Sequence, residues 1–234
     1  MVLPLNLAMT PSEVRSSVTF PNRIAWMACR FSDISEGLTD LPQQLPEGAM
    51  LILDDCQSCI GHDPELIVQQ LTDTVAQCGC ESVLLDFQRP FDEQAAAMAK
   101  AIIEALPCPV ATTPDFAKDL TCPVFLAPCP LHMKLEQYLQ PWKDREIWME
   151  AALCQERAIV TKTGTSFIPL EDAPEYTDGF YSEALCCRYH TAVSDEQITF
   201  TLFDTVETLR DKMARAMELG VSRFVGIYQE LASL

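Results

Sequence analysis

Basic residues are scarce in this chain: 16 Lys and Arg stand against 34 Asp and Glu, a net charge of −18. So anionic a surface repels phosphate backbones and acidic lipid headgroups, which argues against nucleic acid and membrane surfaces as partners. Long hydrophobic runs are missing too, and no stretch reads as a membrane span. The opening Met-Val-Leu-Pro-Leu-Asn-Leu lacks the basic flank of a secretory leader and carries a proline, so a cytoplasmic protein is expected. Glycine is sparse, with no Gly-rich phosphate loop, which leaves nucleotide binding unsupported and no cofactor expected. His132 and His190 have no triad partners at recognisable positions.

Cysteine, by contrast, is plentiful. The count is 11, and an odd number without an export signal argues against a disulfide framework. Cys29, Cys108, Cys129 and Cys154 sit in apolar settings, where thiols act as small hydrophobes. Cys56-x-x-Cys59 and Cys78-x-Cys80 are metal-like spacings, but neither has a partner pair spaced as in a zinc module. His62 lies near the first pair, yet Asp63-Pro64-Glu65 after it reads as a helix start, so no structural metal is expected.

At 234 residues, 48% of them hydrophobic, the chain suits one α/β domain over residues 1–234. It is slightly short of the roughly 250 residues typical of a (β/α)8 barrel. Apolar runs and helical faces alternate along it. Strands are expected over Val2 to Ala8, Ile24 to Cys29 and Met50 to Leu53, with Asp54 and Asp55 at the third exit. A helix capped by Asp63 runs to Gly79, a fourth strand follows, and a helix begins after Asp92. Short strands opening with proline follow at Pro109 to Thr113 and Pro123 to Ala127. A helix over Leu131 to Leu139 precedes a seventh strand, Glu146 to Leu153. From Arg157 to Phe203 the texture becomes β-rich, with hairpins about Thr163-Gly164 and Ser194-Asp195. Asp204-x-x-Glu207 then reads as a capping box, a helix runs to Gly220, and Arg223 to Tyr228 closes the chain as an eighth strand. The expected fold is a (β/α)8 TIM barrel with reduced helices after strands one, two and five, and a β-rich insertion between strand seven and the last helix.

The most informative stretch is Ser82 to Pro90. Val83, Leu84 and Leu85 read as a buried strand that breaks into Asp86, Phe87 and Gln88 before Pro90. A period of two puts Asp86 and Gln88 on one face at the strand's carboxyl end, where a parallel barrel places its chemistry. Glu81 to Pro90 resembles the fourth-strand signature of family 18 glycoside hydrolases, the chitinase family, whose pattern is Asp-Gly-Ile-Asp-Leu-Asp-Trp-Glu-Tyr-Pro. Leu85, Asp86 and Pro90 match, Val83 falls on the isoleucine, and Phe87 replaces the tryptophan. Leu84 replaces the middle aspartate, and Gln88 replaces the glutamate that is the family's general acid. Ala49 to Asp55 resembles the family's third strand more loosely, as Phe203-Asp204-Thr205 through Ile227-Tyr228-Gln229 resembles its closing unit. The sixth strand departs: Phe125-Leu126-Ala127-Pro128 stands in place of Met-x-Tyr-Asp.

The resemblance implies substrate-assisted chemistry, in which an N-acetyl group attacks the anomeric carbon while a carboxylic acid protonates the leaving oxygen. A glutamine amide donates hydrogen bonds but gives up no proton at usable pH. The implied protein therefore holds a glycan of the N-acetylglucosamine type, or another small ligand, without cleaving it, or serves as an interaction scaffold. Implied ligand-binding residues are Asp86, which orients the acetamido group in the family, and Gln88. Tyr228 lies nearest the family's floor tryptophan, and Asp54, Trp148 and Arg30 lie at neighbouring strand exits. Trp26, Trp142 and Trp148 are of a type that stacks on sugar rings, though a lone tryptophan is more often a core residue. A second reading is an active glycoside hydrolase with a relocated acid, for which Asp86, Glu150 and Asp55 are the catalytic candidates and Glu230 lies near. A third is an unrelated TIM-barrel enzyme.

Overall fold

The computed structural model describes residues 3–17, 23–170 and 178–232. In chain order the elements begin with β1 (Leu5–Met9), α1 (Pro11–Ser16), β2 (Ile24–Phe31) and the short β3 (Leu38–Thr39). Next come β4 (Met50–Asp54), α2 (Pro64–Cys78), β5 (Ser82–Asp86), α3 (Glu93–Ala105), β6 (Val110–Thr112) and α4 (Pro114–Ala117). Then follow β7 (Val124–Leu126), α5 (Leu135–Leu139) and β8 (Ile147–Glu150). An excursion of five strands, β9 (Gln155–Thr161), β10 (Gly164–Leu170), β11 (Phe180–Ser182), β12 (Cys187–Val193) and β13 (Gln197–Phe203), precedes α6 (Val206–Glu218), β14 (Val221–Ile227) and α7 (Tyr228–Leu231).

Eight parallel strands, β1, β2, β4, β5, β6, β7, β8 and β14, pair side by side, and β1 joins both β14 and β2, so the sheet closes on itself. This is the (β/α)8 barrel the alternation predicts. Ser82–Asp86 is its fourth strand. Both faces of each strand are buried, which is why the strands read as near-continuous apolar runs. Leu51, Leu53, Val83 and Leu85 face outward against Ile67, Leu71, Ala99 and Ile102 of α2 and α3. Met50, Ile52 and Leu84 face inward with Ala8, Ala25, Phe125, Trp148 and Val225. Helices after strands one and five are brief, and strand two is followed by β3 instead of a helix. The expected Leu131–Leu139 helix shrinks to Leu135–Leu139, because residues 131–133 form a turn closed by Met133 N–H donating to Pro130 O. The strand expected from Val2 runs Leu5–Met9; residues 1 and 2 lie outside those described.

Local signals act as read at α2. Asp63 caps it by accepting from Glu65 N–H, Pro64 opens it, and Gly79 ends it in the left-handed region at φ 64°. The cap of α6 sits one residue later than expected. Thr205 and Thr208 form the capping box, while the Asp204 carboxylate is drawn inward to Lys212 Nζ at 2.8 and 2.9 Å.

The excursion after strand seven is a separate antiparallel sheet in the order β10-β9-β13-β12-β11; residues 171–177 within it lie outside those described. Alternation along its strands gathers Ala158, Leu202 and Cys187 on one face, and these pack on Leu131 from the loop after strand six. His132 adds a polar tie. Its Nδ1 meets Glu156 Oε1, its backbone N–H donates to Glu156 Oε2 at 3.2 Å, and Phe167 stacks on its ring at 3.8 Å. All 11 cysteines are unpaired. Among the described residues no three His, Cys, Asp or Glu side chains are placed to hold a metal ion, and no helix is long and apolar enough to cross a membrane.

Candidate functional site

The carboxyl ends of the parallel strands surround a cleft of about 400 Å³. Ile52, Leu84, Phe125 and Val225 give it an apolar floor, and Asp54, Asp86, Gln88 and Glu150 give it a polar rim. Leu84 is one of the reasons the floor is apolar. Gly226 lines the cleft as well, and only glycine fits there. A Cβ would lie 2.3 Å from Leu231 Cδ1 and 2.5 Å from Ala151 O, so the closing strand and the last helical turn approach too closely for a side chain.

Asp86 and Asp54 end adjacent strands and are register partners. Asp54 Oδ1 accepts the Cys56 N–H at 3.0 Å. The Gln88 side-chain amide donates to Asp86 Oδ1 in a short bond. Burial pushes the Asp86 carboxyl above its ordinary range, Asp54 and Asp55 push it further, and the Gln88 bond pulls against them. Glu150, on strand seven, is also raised, first by burial and then by the charges of Asp86 and Glu230. Among the described residues no hydrogen bond or ion pair reaches the Glu150 carboxylate.

Asp86, Gln88, Asp54 and Glu150 thus line one cleft, and the other candidates do not join them. Asp55 is buried, at 4% exposure, beneath the loop after strand four. Its Oδ1 accepts Gln88 N–H at 2.8 Å and its Oδ2 accepts Arg89 N–H at 3.0 Å, while Arg89 Nε donates back to Asp55 O at 2.8 Å. With both oxygens on backbone amides, it is a clamp on the loop that carries Gln88. Trp148 faces inward, but toward the amino-terminal end of the barrel, and is fully buried. Its Nε1 donates to Glu146 Oε1 at 2.8 Å, and the Arg223 guanidinium lies 4.6 Å over its ring, so it has no face left for a sugar.

Tyr228 falls just beyond the closing strand, in α7, and packs outside the barrel near Met9, Ile24 and Ala49. Ile227, the last strand residue, lines the cleft in its stead. Arg30 is the register partner of Asp54, yet it donates to Asp40 Oδ2 through Nε at 3.2 Å and Nη2 at 3.0 Å, not to Asp86. Trp26 is likewise engaged, its Nε1 donating to Asp40 O at 2.9 Å.

Asn6 was not a sequence candidate. It sits fully buried on strand one, with neither amide atom hydrogen-bonded. Period two from Ala8 puts its side chain inside the barrel, and its register partner is Val225, itself the partner of Glu150. Polar Asn6 inside an otherwise apolar strand was the signal that would have found it.

No protein-family model matches the chain, and no curated relative matches it. Solved structures do. The spore cortex-lytic enzyme SleL of Bacillus cereus superposes with a TM-score of 0.55 at 10% identity, over 96% of this chain and 70% of that one. A family GH18 chitinase from Cycas revoluta, in a complex with allosamidin, gives 0.54 at 10% identity over 96% and 94%. The same plant's GH18 chitinase carrying one Gly-to-Trp and one Glu-to-Gln substitution, in complex with (GlcNAc)4, gives 0.52 at 11% identity over 96% and 94%. At these identities the likeness establishes the fold: this chain has the closed barrel seen in GH18 chitinases and SleL.

Proposed function

We propose that this protein is a non-catalytic barrel of the family 18 type, one that holds a glycan of the N-acetylglucosamine class in the cleft at its carboxyl end. The observation that carries the reading is the Gln88 amide, hydrogen-bonded to Asp86 at the cleft where the resemblance calls for a proton donor. Amide nitrogen supplies a directed hydrogen bond and no proton, so a glycosidic oxygen held there is bound without being protonated. The (GlcNAc)4 complex of the Glu-to-Gln chitinase is consistent with a barrel of this fold holding sugar while carrying such a substitution. Eleven unpaired cysteines suit a reducing, cytoplasmic setting, where the ligand is a glycan fragment.

Calorimetric titration with N-acetylglucosamine oligomers tests the binding. Heat is expected from the native protein and none from Asp86→Ala, with no release of chromophore from a chromogenic N-acetylglucosaminide. Absence of sugar heat in both would leave only an interaction scaffold.

Glu150 supports a second reading, an active hydrolase with a relocated acid. It lies in the cleft against the apolar floor, and burial raises its carboxyl, as a proton donor requires. Turnover that survives Gln88→Ala and is lost in Glu150→Ala would establish that reading over the first.

A further inference from the structure

The antiparallel sheet after strand seven carries a cavity that shares no lining residue with the barrel cleft. Its origin lies in one row of register partners. Phe167 on β10, Ala158 on β9 and Phe200 on β13 stand directly opposite one another across three neighbouring strands. A small side chain between two large ones leaves a notch, with walls two strand spacings apart, about 9–10 Å. Ala158 is its floor, continued by Val160 toward the hairpin tip and by Leu202 toward the barrel. Tyr189 adds a further ring beside Phe200, their centroids 6.2 Å apart. The cavity so formed holds about 380 Å³, with no Lys, Arg, Asp or Glu in its lining among the described residues. Phe167 stays 45% exposed and Phe200 half-buried, so the walls of the notch are open to a ligand.

One polar group is built into this wall. His132 lines the cavity with a ring face stacked on Phe167. Its Nδ1–H donates to Glu156, a carboxylate at 5% exposure that is not itself in the lining. The same carboxylate accepts the His132 backbone N–H, so ring and backbone are fixed together. Nε2 has no hydrogen-bond partner among the described residues. A neutral ring with its proton on Nδ1 presents Nε2 as an acceptor. An apolar cavity of this size with one oriented polar group has the make-up of a small-molecule site.

We infer that this notch is a second ligand site, taking a flat, uncharged aromatic molecule that carries a hydroxyl or a ring N–H. The ligand rings lie over Ala158 between Phe167 and Phe200, where aromatic walls favour offset-stacked or edge-on packing. The ligand O–H or N–H donates to His132 Nε2. A sugar would leave most of its hydroxyls without partners against Ala158, Val160 and Leu202. An anion would meet the Glu156 charge behind the imidazole. The site stands apart from the barrel cleft, so the inference does not rest on the glycan reading.

Calorimetric titration with indole and N-methylindole tests it, at about pH 8, above the ordinary imidazole range. The methyl group removes the donor and keeps the rings. Indole is expected to bind about fivefold tighter, the yield of one net hydrogen bond. Thr165→Trp, at an exposed position in the lining, fills the notch and is expected to abolish binding of both while leaving titration with N-acetylglucosamine oligomers unchanged. His132→Lys keeps a donor for Glu156 and offers no acceptor, so it is expected to bring the two indoles within about twofold of each other. Thr165→Trp carries the test alone should His132→Lys fold poorly. Equal or tighter binding of N-methylindole to the native protein overturns the inference, as does a preference for indole that survives His132→Lys. Indole binding undiminished in Thr165→Trp places the ligand elsewhere and overturns it. Heat from neither indole overturns it as well.

Discussion

Replacing Asp55 separates a structural carboxylate from a chemical one. Its two oxygens accept the backbone N–H groups of Gln88 and Arg89 at 2.8 and 3.0 Å from an almost fully buried position. Charge-assisted bonds of this kind contribute about 1.5–3 kcal/mol each, and Asp55→Ala removes both. Gln88 is exposed, so water regains part of one bond, and the expected loss is about 3 kcal/mol. For a chain of this size that corresponds to a melting temperature lower by about 6–12 °C. Asp55→Asn keeps one carbonyl acceptor and should lose about half as much. Thermal unfolding by calorimetry reads the stability. Sugar titration reads the consequence, because a loosened Gln88 backbone no longer presents its amide to Asp86. A melting temperature within about 1 °C of wild type in Asp55→Ala would refute the clamp. Full stability with lost function in Asp55→Asn would return Asp55 to the list of chemical groups.

Asn6→Val removes two unpartnered buried polar atoms for a branched apolar side chain of similar bulk, so the free protein should gain about 1 kcal/mol, visible as a rise of about 2–4 °C in melting temperature. Lys212→Met strands the buried Asp204 carboxylate and should cost about 3–5 kcal/mol, largely recovered in the Lys212→Met/Asp204→Leu double variant; equal losses in single and double variants would count against the pair. Asp86 and Glu150 both carry raised carboxyl pKa values in the folded state, so the folded protein binds more protons than the unfolded chain and stability falls as pH rises from the ordinary carboxylate range through those raised values. Glu150→Gln should therefore melt higher than wild type at neutral pH and show a shallower decline across that window in pH-resolved melting curves.

The barrel was legible because strands buried on both faces are written as apolar runs, and because Asp63, Gly79 and Asp92 mark helix ends by local chemistry. Period two put Asp86 on the face that opens into the cleft, and Asp54 was placed by the exit of its strand. The misplaced candidates failed for three different physical reasons. Period two fixes a side but not a height, so Trp148 faces inward yet fills the layer below Glu150. Strand ends shift by a residue, and Tyr228 leaves the sheet because Gly226 lets the last turn fold back onto it. Partners distant in sequence are invisible to pattern: Asp40 takes Arg30, the amides of the next loop take Asp55, and Lys212 takes Asp204 away from the helix cap.

Those distant partners also hold the loop beyond the fourth strand in place. Asp55 fixes the backbone of Gln88 from below, Thr113 donates to Phe87 O at 2.9 Å from the fifth-strand exit, and Phe87 packs edge-on against Phe116 at 5.4 Å. The loop is therefore held by groups that are indifferent to what residue 88 carries at its tip. A glutamate there would add a fourth carboxylate beside Asp54, Asp86 and Glu150, where burial and repulsion already raise two of the three. Glutamine keeps the hydrogen bond to Asp86 and adds no charge. Glutamine at this position thus carries a lower electrostatic cost at the rim than glutamate would.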